Sequence, residues 1–201
     1  MILYVNACIR KESRTKKLAD HLISRLDDTV TEVKLKDIRF PQYNEEFLNK
    51  REELICKKQI DDPMFILARQ FAEADTIVIA APCWNESFPA LLKQYLDEIT
   101  IPGITYRYNE VGTKSGLCKA KRCFYVTTAG RVIFTKAYGY GYIHFLTMYV
   151  FGIKVVKRFS AEGLDWEDSD VERIMQRACD YIDSELKNRG WASDYYLPPD
   201  L

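Results

Sequence analysis

The chain lacks an excess of charge of either sign, because 29 lysines and arginines balance 29 aspartates and glutamates. A nucleic-acid surface needs a clustered basic surplus, so no nucleic-acid partner is expected. Histidine is scarce, with only His21 and His144 in 201 residues. The six cysteines (Cys8, Cys56, Cys83, Cys118, Cys123, Cys179) contain no Cys-x-x-Cys pair. Only Cys118 and Cys123 are close, and no histidine cluster accompanies them, so neither a zinc nor an iron–sulfur centre is expected: metal, none. Scattered reduced thiols fit a cytoplasmic protein. No apolar run approaches the roughly 18 residues of a membrane span, so no membrane partner is expected. The opening M-I-L-Y-V-N-A-C lacks the basic and long apolar regions of a signal peptide and reads as a strand. Two phosphate signatures are missing as well: no G-x-G-x-x-G follows that strand, and no G-x-x-x-x-G-K occurs. Their absence disfavours a Rossmann dehydrogenase or a P-loop enzyme and suits a mononucleotide held by one phosphate.

What is present alternates. Ile2–Val5 is a short buried strand, Thr29–Leu35 a second, and Ile77-Val78-Ile79-Ala80-Ala81 a third. The third is a continuous β-branched run of the kind that both faces of a parallel sheet cover. Arg122–Thr127 and Lys154–Ser160 are the fourth and fifth, with Lys157 and Arg158 suggesting an end or face that meets water. Between them lie helices: one carrying Leu18, Leu22 and Leu26, then Glu45–Lys57 and Pro63–Glu73. Another has Ser87 as N-cap and Leu91, Leu92, Tyr95, Leu96 and Ile99 at helical spacing. A last helix has Ser169 and Glu172 in capping-box form. Lys50-Arg51-Glu52-Glu53 mixes signs and reads as a solvated face. Ala137–Tyr142, which alternates glycine and tyrosine, is either an aromatic lid or a packed turn. The apolar segment His144–Phe151 follows, its lone histidine better suited to a structural or interface role than to catalysis. The aromatic tail 191–201 is expected to dock on a neighbouring surface. No repeat or linker appears, so residues 1–201 are expected to form one α/β domain. A strand order of 2-1-3-4-5 would bring the turns after strands one, three and four to one crevice.

Each of those turns carries binding chemistry. After strand one, Asn6–Thr15 leads into a helix, with Ser13 and Thr15 as hydroxyl donors and Arg10 or Arg14 as counter-charge. It is either an anion site at a helix N-terminus or a solvated loop with an N-cap. After strand three, Pro82 ends the ladder and Cys83-Trp84-Asn85-Glu86 follows. After strand four comes Thr128-Ala129-Gly130, where glycine permits close approach of a planar ligand.

In this order and spacing the motifs resemble the flavodoxin-like FMN-dependent NAD(P)H oxidoreductases, closest to the NADH-azoreductase and quinone-reductase group. A-D-T-I-V-I-A-A-P-C-W-N, L-K-Q-Y-L-D, P-G-I-T-Y-R-Y, V-T-T-A-G and F-G-I-K with S-A-E-G carry the likeness, strongest from Ala74 to Gly163. It implies a flavodoxin-like three-layer sandwich, FMN as cofactor, and NADH or NADPH as donor. It also implies a small-molecule acceptor such as a quinone or azo compound, ping-pong turnover, and a homodimer whose partner completes each site. Ser13, Arg14 and Thr15 would hold the FMN phosphate; Pro82, Cys83, Trp84 and Asn85 would line the ring; Thr128, Ala129 and Gly130 would lie beside its pyrimidine end. No side chain is expected to be catalytic, since the flavin carries the chemistry. Trp84 stands where the group has tyrosine, and Glu86 where an apolar or aromatic residue is common. Glu86, Tyr106 and Tyr140 are candidates for the acceptor pocket. Two competing expectations are an FMN electron carrier without a nicotinamide site, which the neutral charge disfavours, and a flavin-free binding protein on the same fold.

Overall fold

The computed structural model describes residues 1–187. Strands β1 (Ile2–Asn6), β3 (Thr76–Ala80) and β6 (Arg122–Thr128) are the apolar runs, and all are almost wholly buried. With β2 (Val30–Lys34) and β7 (Val155–Ala161) at the edges, they form a five-stranded parallel sheet in the order β2-β1-β3-β6-β7. The order expected from the sequence therefore stands. Register runs straight across the centre, Ile2 beside Thr76 and Ile77 beside Cys123.

Alternation along the strands divides the core in two. Leu3, Val5, Ile77, Ile79 and Tyr125 pack with α3 (Ile66–Glu73), α4 (Ala90–Ile99) and the helical segment 137–150. Ile2, Tyr4, Val78, Phe124 and Val126 pack with α1 (Arg14–Ser24) and α6 (Val171–Lys187). Helix α2 (Glu45–Cys56) contributes no fully buried side chain and reaches the first cluster only through the partly buried Leu54 and Ile55. Phe71 and Phe124 are completely buried, one in each cluster. Truncating either to alanine would cost roughly 3–5 kcal/mol.

Several local expectations are corrected. Helix α4 begins at Ala90 behind the extended Pro89 and has no side-chain cap. Ser87 instead exchanges two backbone hydrogen bonds with Trp84, at 2.8 and 3.0 Å, closing a two-residue turn. At α6 the cap is Asp170, which accepts from the Arg173 amide at 3.0 Å, while the Ser169 hydroxyl donates to the Gly163 carbonyl. A carboxylate one residue closer to the helix displaces the capping box. Lys157 and Arg158 do not simply face water: Lys157 is buried against Glu185 of α6, and Arg158 bonds Glu162 at 3.0 Å. The glycine–tyrosine run is helical and packed. It forms a wide turn closed from the Gly141 amide to the Lys136 carbonyl at 2.7 Å, with Tyr140 buried and its hydroxyl on the Val156 carbonyl at 3.1 Å. The short helix α5 (Tyr142–Phe145) and a second wide turn continue it to Val150. The tail 191–201, expected to dock, lies outside the described residues.

One element is absent from the sequence reading. β4 (Tyr106–Tyr108) and β5 (Lys114–Gly116) form a small antiparallel hairpin. Its tip is closed by Asn109, whose side-chain carbonyl accepts from the Val111 and Thr113 amides at 3.2 and 2.9 Å. The hairpin's base touches the end of the helical segment. A Cβ on Gly116 would overlap the backbone of Phe151 and Gly152, and one on Gly152 (φ +78°) would lie 3.1 Å from the Gly116 Cα. Among the described residues no helix is long and apolar enough to cross a membrane.

Candidate active site

The turns that follow β1, β3 and β6 meet, together with the turn after β7, in a crevice of about 350 Å³ at the carboxyl ends of the strands. That is within the range of small-molecule sites, roughly 300–1,000 Å³, and it lies where parallel sheets bind ligands.

The first wall is the start of α1. Ser13 is the N-cap, its hydroxyl accepting from the Lys16 amide at 3.2 Å. An α-helix leaves its first amides without intrahelical partners, so those of Arg14 and Thr15 remain donors, reinforced by the positive end of the helix dipole. Thr15 is buried, and its hydroxyl lies 2.6 Å from that of Thr128, tying the first turn to the third. The Arg14 guanidinium bonds Asp165 at 2.7 Å across the crevice. It therefore closes one side of the site, and Arg10 lines the rim beside it.

The second wall is the turn after β3. The Cys83 amide donates to the Thr128 carbonyl at 2.9 Å, extending the sheet past Pro82. Asn85 and Glu86 then both take left-handed φ values, 52° and 63°. With the reciprocal Trp84–Ser87 bonds, this is a tight turn built without glycine, at a strain of order 1–3 kcal/mol per residue. The turn leaves Trp84 40% exposed, an aromatic face at the crevice mouth. The Cys83 thiol is pushed above its ordinary pKa by burial, then by the carboxylates of Glu86 and Glu162, so it stays protonated at neutral pH.

The third wall is Thr128-Ala129-Gly130. The Ala129 and Gly130 carbonyls accept from the Leu164 and Asp165 amides at 3.2 and 2.9 Å. A Cβ on Gly130 would strike the Asp165 carboxylate, so glycine is needed there for contact rather than for an unusual φ. Among the described residues the amides of Asn85 and Gly130 donate to no protein acceptor.

Ser13, Arg14, Thr15, Pro82, Cys83, Trp84, Thr128, Ala129 and Gly130 thus line one crevice; Asn85, which the sequence grouped with them, is not part of that lining. The acceptor-pocket candidates do not join that lining. Glu86 and Tyr140 line a small adjoining cavity behind Cys83, of about 10 Å³, the size of one water. Tyr106 is buried at the hairpin, with the Lys114 ammonium 4.8 Å from its ring centre. Asp165 was missed, although S-A-E-G-L-D was conspicuous after the last strand. A larger cavity of about 610 Å³ lies between the β2–α2 connection and α3, lined mainly by apolar side chains such as Ile38, Phe40 and Phe47. It is far less suited to an anion than the crevice, which has a helix N-terminus.

Comparison with known proteins agrees with this architecture. Residues 1–186 match the family described as a flavodoxin-like fold. The chain belongs to that family. Its relatives include the FMN-dependent NADH:quinone oxidoreductase of Coprothermobacter proteolyticus, 34% identical over 188 residues, covering 88% of this chain and 93% of the relative. The enzyme of the same description from Clostridium beijerinckii is 34% identical over 200 residues, covering 93% and 98%. Among solved structures, an azoreductase from Bacillus anthracis superposes with a TM-score of 0.80 at 21% identity, covering 93% of this chain and 98% of the other, a likeness of fold.

Proposed function

We propose that the protein is an FMN-dependent NADH oxidoreductase that reduces a quinone or similar small acceptor. The convergence of three strand-end turns on one crevice carries the reading, and the relatives' described activity supports it. The residues fit the cofactor: an anion position at the start of α1, an aromatic wall at Trp84, and a close-approach glycine at position 130. Bound FMN supplies the relay of hydride from nicotinamide to acceptor. Ser13, Thr15 and the first amides of α1 hold the phosphate. Pro82, Cys83, Trp84 and Asn85 line the ring, with Thr128, Ala129 and Gly130 beside its polar end. The Asn85 and Gly130 amides offer fixed dipoles to negative charge, at no cost in reorganisation. No protein nucleophile is required.

The chain works as one domain, in the cytoplasm, as a homodimer. Six free cysteines support the compartment. The exposed Phe145–Tyr149 pair, its rings tilted against each other with centroids 5.4 Å apart, supports a partner surface. The test is optical. Purified protein mixed with FMN and desalted should stay yellow, bleach with NADH under anaerobic conditions, and recover colour on adding a quinone. Steady-state rates should give the parallel double-reciprocal lines of ping-pong turnover. A protein that desalts colourless, or a bound flavin that NADH leaves yellow, overturns the proposal.

A further inference from the structure

The segment 131–136, between the third turn and the helical run, is held at two points by carboxylates from two other turns. Glu162 accepts from the Ile133 amide at 2.9 Å and is itself fixed by Arg158 and Ser160, each at 3.0 Å. Glu86 accepts from the Phe134 amide at 3.1 Å. The Glu86 carboxylate is delivered from the strained turn, while its neighbour Ser87 donates to the Tyr138 carbonyl at 2.7 Å. One turn therefore does two things: it presents Trp84 to the crevice, and it grips the segment whose Phe134 side chain is 92% exposed. A single carboxylate joins the two exposed aromatic residues. The ring of Phe134 is almost bare, so its position is set through the backbone, by the Glu86 latch on its own amide and the Glu162 bond to the Ile133 amide before it.

We propose that Glu86 is a positioning residue for the acceptor: by latching the Phe134 amide it sets a second aromatic platform beside Trp84, favouring flat, uncharged, multi-ring acceptors over single-ring ones. The inference rests on the oxidoreductase reading and names the class of acceptor for that site. The carboxylate's negative field reaches the crevice wall as well, since it is among the groups that hold the Cys83 thiol protonated. Repulsion of anionic acceptors follows from the same placement.

The experiment compares kcat/KM for menadione, which has two fused rings, with that for 1,4-benzoquinone, which has one, in FMN-loaded protein. Alanine adopts the left-handed φ at position 86 as glutamate does, so Glu86→Ala removes the latch without recasting the turn. The menadione-to-benzoquinone ratio should fall about tenfold in Glu86→Ala, the size one charge-assisted hydrogen bond carries, through KM rather than kcat. Glu86→Gln keeps an oxygen acceptor for the Phe134 amide and should hold the ratio within about threefold, where a neutral hydrogen bond persists. Phe134→Ala should match Glu86→Ala, and the double variant should add nothing further. A ratio unchanged in Glu86→Ala, or lowered as much in Glu86→Gln, overturns the latch. If FMN-loaded wild type reduces neither quinone, the oxidoreductase reading fails, and the latch is then judged by trypsin, which cuts after Arg131 and Lys136. Faster cleavage there in Glu86→Ala than in wild type or Glu86→Gln upholds the latch; equal cleavage in all three overturns it.

Discussion

The Thr15–Thr128 pair offers a direct measure of what the crevice is built for. The two hydroxyls lie 2.6 Å apart, and both residues are buried, at 1% and 7% exposure. Thr15→Val keeps the shape of the side chain but leaves the Thr128 oxygen buried without its partner. An unsatisfied buried hydroxyl costs about 1–3 kcal/mol. Taking about 1.5 kcal/mol, the melting temperature of the FMN-free protein should drop about 3–6 °C for a chain of this size. Thr128→Val should behave alike. Replacing both partners by apolar groups of the same shape is nearly neutral, so the double variant should melt close to wild type, with a coupling of about 3 kcal/mol in the cycle, the summed cost of the two singles. FMN separates scaffold from site. If the Thr15 hydroxyl serves the phosphate, the double variant regains apo stability but not affinity. A tenfold weaker site would then reduce FMN-induced stabilisation by about 1.4 kcal/mol in saturating cofactor. Thermal melts of four proteins with and without FMN complete the measurement. A double variant as unstable as the sum of the singles refutes the pairing. A double variant with the full FMN shift refutes Thr15 as a phosphate donor.

Two further outcomes follow from buried ionisable groups. Glu98 in α4 is buried and accepts from the Tyr43 hydroxyl at 2.5 Å; burial raises its pKa above the usual 4.5, against the pull of that bond. The folded state thus favours the protonated acid, and the stability this gives is present below pH 4.5 and lost as pH rises through the raised value. Glu98→Gln, which keeps the acceptor, should therefore gain stability relative to wild type from pH 4.5 to 7 in urea unfolding, and a constant difference would contradict the assignment. Among the cysteines, exposed Cys56 should react with iodoacetamide well before Cys83, whose thiol is held protonated, and before buried Cys8 and Cys123. Mass spectrometry of a timed reaction reads the order, and early alkylation of Cys83 would contradict the burial and the neighbouring carboxylates that hold its thiol protonated.

The sheet and the grouping of three turns were legible because they depend on short-range pattern. Buried parallel strands need uninterrupted apolar runs, and ligand turns at their ends need hydroxyls, glycine or an aromatic residue. The misreadings share a cause: a competing partner, near or far in sequence, that residue type alone does not announce. Ser87 resembles a cap until Trp84 takes both its backbone groups, and Ser169 until Asp170 lies closer to the first free amide. Lys157 and Arg158 suggest solvent until Glu185 and Glu162 meet them. Arg14 carries a partner that its loop does not announce, Asp165, 151 positions away. Tyr106 shared a motif with site residues but was carried off by the hairpin, whose polar tip has no apolar alternation to announce a strand.

The contact between Gly116 and Gly152 shapes how this protein can diverge. Gly116 accepts no side chain while the opposite backbone stays in place, and Gly152 is restricted by its φ of +78° and a tight 3.1 Å approach to the Gly116 Cα, so substitution at either is costly. The tip at 109–113 meets no such contact: Val111 is 81% exposed, and Gly112 is surrounded by open space, its φ of +79° alone favouring glycine. Descendants of this chain can therefore lengthen, shorten or recolour the arm freely while inheriting its root unchanged, which makes the hairpin the part of the molecule where new partners are most cheaply acquired.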